Sequence, residues 1–220
     1  MQMVVYTAIT NKKDVLKEQP FAEKNKDVDF VAFMDSPIES KTWRVLPAYN
    51  YFSDPVRNAK HHKILPHLYF PFSDYSLWID GSILIVSKLS MQELIDTYLK
   101  SSDLAVHAHA YRNCIYDEAN AAGHLDSREV IRQQMDRYRK DNYPAKNGLA
   151  ECPVLLRRHS PATRQFDEGW WEEIVNGSRR DQLSFNYVAT KQGFKFTHFP
   201  SKIMSCFSAD NPHFRNHRHG

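Results

Sequence analysis

The chain has 220 residues, 42% hydrophobic and 13% aromatic, enough for one domain with a substantial core. A mean hydropathy of -0.59, with no run near the ~20 apolar residues of a membrane span, argues against an integral membrane segment. The formal net charge of +3, from 29 basic and 26 acidic residues, is too balanced to predict a nucleic-acid partner.

Met3 to Ile9 reads as a strand, followed by the polar turn "TNKKD" and a short helix to about Glu23. "VDFVAFMD" is a second buried strand closed by Asp-Ser-Pro. "TWRVLPAY" is a third, which Pro47 confines to an edge or strand end. "DPVRNAKHHKILPHLYF" is a helix capped by Asp54 and bent or ended at Pro66. "SLWIDGSILIV" reads as one fully buried strand interrupted by Asp80 and Gly81. Ser90 with Glu93, and Asp126 with Glu129, form capping boxes that open two further helices. "DLAVHAHAY", "PVLLRRH" and "FKFTHF" are strands, while "FDEGWWEEIV" and "RDQLSFNYVATK" are helical. This alternation predicts one α/β domain over residues 1–220 with a mostly parallel sheet, and residues 208–220 as a polar, His-rich tail. Three isolated cysteines give no disulfide framework, and the start of the chain lacks a signal-peptide pattern, so a cytoplasmic location is expected.

Asp80 is the residue that needs a reason. A buried, unpaired carboxylate is among the costliest groups in a core. Open α/β sheets bind ligands beyond the carboxyl ends of their strands. Asp35 and Asp80 both stand at such ends, and Gly81 lets a ligand approach the backbone. The plainer alternative is an aspartate satisfied by backbone N–H groups in a turn.

The motifs "VVYTAIT", "FVAFMD", "WRVL", "RNAKHHKILPH", "YSLWIDGSI", "CIYDEA" and "SRRDQLSF" occur in an order that resembles the TOD/mucilage-type glycosyltransferase-like domain, from about Val4 to Tyr187. The resemblance implies a GT-A-like, Rossmann-related fold. The implied reaction moves a sugar from a nucleotide-diphosphate sugar donor to a carbohydrate or other hydroxyl acceptor. In such enzymes an Asp-x-Asp signature holds Mn²⁺ or Mg²⁺ against the diphosphate. Here the signature resembles Asp80-Gly81-Ser82, with Ser82 replacing the second carboxylate. The implied metal ligands are Asp80 and a C-terminal histidine, His217 or His219, with His198 and His213 also available.

Arg57, Lys60 and Lys63 lie at helical spacing and suit a diphosphate, although a solvated basic face would look the same. Thr7 and Asp35 resemble the contacts to base and ribose. Asp181, at a helix start, resembles the base that deprotonates the acceptor, with Arg180 near the diphosphate. His107 and His109, two apart on a strand, border the acceptor cleft or fill the core. Trp170 and Trp171 offer a sugar-stacking ring and a core filler. Two rival activities remain open at this level: a metal-dependent hydrolase built on the histidines and Asp80, and a catalytically silent nucleotide- or carbohydrate-binding module.

Overall fold

The computed structural model describes residues 2–199 and 208–216. Seven strands form the main sheet: β1 (Met3–Ile9), β2 (Asp29–Met34), β3 (Arg44–Pro47), β4 (Tyr75–Ile79), β6 (Leu104–Ala108), β7 (Ala150–Arg158) and β8 (Thr197–His198). A small second sheet pairs β5 (Ile83–Ile85) with β9 (Phe214–Asn216). The helices are α1 (Pro55–Ile64), α2 (Pro66–Tyr69), α3 (Met91–Tyr98), α4 (Ile115–Ala121), α5 (Arg128–Lys140), α6 (Pro161–Asn176) and α7 (Gln182–Gln192).

The main sheet has the order β3-β2-β1-β4-β7-β6-β8. Only β7 runs antiparallel to its neighbours, β4 and β6; the remaining pairings in this sheet are parallel. The α/β class with a mostly parallel, helix-flanked sheet is therefore as expected. β1 shows why both faces are covered. Val4, Tyr6 and Ala8 point into the core shared with α4 to α7, while Met3 and Val5 point into a second core with α3 and Phe214. Among the described residues, no helix is long and apolar enough to cross a membrane.

Local chemistry explains most boundaries. Asp54 caps α1 by accepting the Val56 N–H, Pro66 separates α1 from α2, and the Ser90–Glu93 capping box of α3 is complete. Pro47 ends an edge strand, where a missing N–H breaks no ladder.

Four expectations are corrected and one element is added. "SLWIDGSILIV" is two strands in different sheets, because the chain turns at Asp80–Ser82. The segment before Glu23 holds only a 3₁₀ turn, Pro20–Lys24. Ser127, not Asp126, caps α5; Asp126 instead accepts from the Ser178 hydroxyl and the Arg179 N–H. α4 is an element the sequence pattern did not reveal. Residues 211–216, read as tail, return to the core: Phe214 is buried and β9 pairs with β5.

Candidate active site

β1, β2 and β4 run parallel and side by side, so their carboxyl ends bring Thr10 and Asn11, Asp35, and Asp80 to one edge of the sheet. A cavity of ≈ 580 Å³ opens there, lined by Thr10, Asn11, Lys60, Asp80, Ser82 and Arg179 among others. The turn itself needs glycine. A Cβ on Gly81 would stand 2.8 Å from Ile9 Cδ1 and 3.0 Å from Asp14 Cβ.

The Asp80 carboxylate is 37% exposed and is not held by its own main chain. Its Oδ1 accepts from the Trp78 indole N–H at 2.7 Å and from Lys63 Nζ at 3.3 Å. Trp78 lies two residues upstream on the same strand face, a spacing that could have flagged it. Behind Asp80 the charges continue inward. Lys63 Nζ is also 2.7 Å from Asp181 Oδ2, and Lys60 Nζ reaches the same oxygen at 2.5 Å. Lys63 and Asp181 are almost wholly buried, whereas Lys60 keeps 17% of its side chain exposed and lines the cavity.

Position dictates protonation here. Burial alone would push the Asp181 carboxyl up, but Lys60, Lys63 and Arg180 outweigh it and hold it well below the usual carboxylate range. Burial likewise opposes a charge on Lys63, yet Asp181 and Asp80 overcome it and keep the ammonium protonated beyond its ordinary range. The result is a chain of four groups, Asp80, Lys63, Asp181 and Lys60, that starts at the cavity, passes through the core and returns to the cavity wall at Lys60, whose ammonium is pushed below its ordinary range by burial.

The other basic residues are anchored. Arg57 bonds Asp54, the Ile174 carbonyl and the Gly177 carbonyl, clamping α1 to the end of α6. Arg179 bonds Asp54 and the Leu125 carbonyl while facing the cavity. Arg180 is pinned by Glu118, which also holds Arg112. Asp35 is exposed and accepts the Asn11 N–H. Thr7, by contrast, lies inside β1, buried, its Oγ1 without a partner among the described residues. It does not line the cavity; Thr10 and Asn11 stand where Thr7 was expected.

The family model for the TOD1/MUCI70 glycosyltransferase-like domain matches residues 1–213. The chain belongs to that family. "Probable hexosyltransferase MUCI70" of Arabidopsis thaliana is 29% identical over 234 residues, covering 93% of this chain and 40% of that protein. "Alkaline ceramidase TOD1" of the same plant is 26% identical over 164 residues, covering 66% of this chain and 35% of that one. The chain thus spans less than half the length of either relative. A solved glycosyltransferase involved in glycosylation of the major capsid of PBCV-1 aligns with 90% of this chain and 82% of its own, at a TM-score of 0.48 and 10% identity.

Against this family background, several expected site residues stand elsewhere. Trp170 is fully buried between Phe166 and Phe185, its indole N–H donated to the Asp181 carbonyl; it fills the core. Trp171 is partly exposed. His107 is buried beside Phe199 and Phe214, while His109, beyond the strand end, accepts the Tyr111 and Arg112 N–H groups. The two rings therefore do not share a cleft.

The fit to a divalent ion rests on donors. His213 has both ring nitrogens engaged, by Ser87 and Tyr98, and His198 contacts the Val106 carbonyl. His217 and His219 lie outside the described residues. Among the described residues, no three of His, Cys, Asp or Glu converge on one point, and Asp80 Oδ1 is already bonded twice. These residues alone do not complete a Mn²⁺ or Mg²⁺ centre.

Proposed function

We propose that this chain is the donor-binding and transfer domain of a glycosyltransferase that uses a nucleotide-diphosphate sugar and a hydroxyl acceptor. One observation carries the reading: a strand-end carboxylate, Asp80, faces a sheet-edge cavity whose wall also presents Lys60 and Arg179. Membership of a glycosyltransferase-like family supports the same reading. In this reading the diphosphate lies between the Asp80–Ser82 turn and the start of α1, where ammonium and guanidinium groups offset the charge of the leaving group. Asp35 and Asn11 flank the nucleoside. Asp181, buried and bonded by Lys60, Lys63 and the Gln182 N–H, positions the Lys60 ammonium at the cavity wall; its burial and its depressed carboxyl speak against the base role that its helix-start position resembles.

The test is a thermal-shift screen of nucleoside diphosphates, run with Mn²⁺ and with a chelator, followed by donor turnover. Uridine or guanosine diphosphate is expected to raise the Tm of the wild type. Asp80→Ala should remove that shift, and Asp181→Asn should keep it while lowering turnover. A shift that survives Asp80→Ala overturns the site. Cleavage of a ceramide by the wild type, lost in Asp181→Asn, would instead favour hydrolysis.

A further inference from the structure

The loop before α1, α1 itself and α6 together carry a row of aromatic rings that the donor reading does not use. Tyr49 stacks face to face on His61, with centroids 4.0 Å apart and planes 4° from parallel; Tyr51 stacks on Tyr49 at 4.5 Å. Trp171, from α6, stands edge-on to His61 at 4.9 Å and to Phe52 at 5.7 Å. The loop carrying these rings is fixed from below. Asn58 accepts the Phe52 N–H at 2.9 Å and donates to its carbonyl at 2.8 Å, and His62 accepts the Tyr49 N–H at 2.8 Å. The outermost ring, Tyr51, is nonetheless 82% exposed.

We propose that Tyr51 and Trp171 form a stacking platform for the carbohydrate chain that accepts the sugar, an inference that rests on the transferase reading. Three features select this occupant. The rings are oriented before any ligand arrives, so little ordering entropy is lost when the C–H face of a sugar lies on them. Asn58 ties the ring-bearing loop to α1, the same helix that supplies Val56, Ala59 and Lys60 to the cavity wall, so one element supports both sites. The surface is a few rings wide and uncharged, with exposed Asn50 and Ser53 beside it. That scale suits a sugar chain better than a protein interface of ~1,600 Å².

The probes are neutral gluco-, xylo- and galacto-hexasaccharides, titrated while tryptophan emission and binding heat are recorded. Trp43, Trp78 and Trp170 are buried, so a bound sugar reports through Trp171. At least one hexasaccharide is expected to perturb emission, and Tyr51→Ala should weaken its binding tenfold or more without changing the nucleoside-diphosphate thermal shift. Binding unchanged in Tyr51→Ala, or no response to any of the three sugars, overturns the platform while the donor reading stands. Loss of the nucleoside-diphosphate shift in Tyr51→Ala also overturns it, by making the ring a nucleobase contact. A wild type that shows no nucleoside-diphosphate shift at all removes the transferase reading, and the platform's acceptor role with it.

Discussion

Lys60 and Lys63 are three residues apart on one helix and share one carboxylate oxygen, yet they occupy different environments. Lys63 is 2% exposed and bridges two acids; removing its charge leaves Asp181 with Lys60 as its one bonded ammonium and strips Asp80 of its own. Breaking a buried ion pair costs about 3–5 kcal/mol, because the surviving charge stays out of water. Lys60 is 17% exposed, and water can replace part of what it supplies. Lys63→Met is therefore expected to lower unfolding free energy by about 3–5 kcal/mol, and Lys60→Met by distinctly less, in urea denaturation. Equal losses would mean that the two ammonium groups are energetically equivalent. The spacing of Arg57, Lys60 and Lys63 was legible as one helical side, but not that Arg57 would be spent on the end of α6.

Among elements, the pairing of β9 with β5 is the least expected. Composition marked "NPHFRNHRHG" as polar, and the one apolar residue, Phe214, gives no periodicity to read. In the fold that ring is 1% exposed and packs on Phe199 and His107, while Asn211 accepts the His213 and Phe214 N–H groups. Phe214→Ala should cost about 3–5 kcal/mol, the range for deleting a buried phenyl ring. A Tm unchanged by Phe214→Ala would contradict this packing. α4 escaped notice for a related reason. Its buried positions, Ile115, Glu118 and Ala119, with Ala122 at the cap, do follow helical spacing, but a glutamate sits among them. That glutamate is the anchor for Arg112 and Arg180, so the charge that obscures the pattern has a place in the fold.

For the molecule as a whole, histidine burial sets the pH response. His62 and His107 are each 1% exposed, and burial pulls both down to about 3. An unfolded imidazole protonates near ~6.5, so below that value the unfolded chain binds more protons than the native one. The stability these residues allow is complete above ~6.5 and declines toward pH 3, by about 1.4 kcal/mol per pH unit for each. Asp181 acts in the same direction at lower pH: its folded value is depressed, so its contribution is complete above the ordinary aspartate range and is lost progressively as pH falls through and below that range. The Tm is expected to drop between pH 7 and pH 5, before the carboxylates titrate, and His107→Gln should flatten that drop. A Tm independent of pH over this interval would show that these rings titrate normally.

The amino-acid order by itself determined what is local. Hydrophobic runs, caps and prolines specified the strands and most helices, their alternation gave the α/β class, and the ordered motifs pointed to the family. It also marked Asp80 and Asp35 as strand-end acids, because that follows from where a run stops. Tertiary structure decided everything that depends on distant partners. Asp181 lies 121 residues from Lys60, and only the packing of α1 against the start of α7 fixes its carboxylate between two ammonium groups. The same holds for the tryptophans: neighbours in sequence and about 100° apart around α6, one is sealed in the core and the other is only partly covered at its edge. Local pattern encodes which residues are poised to interact; burial and charge pairing across the fold settle with what.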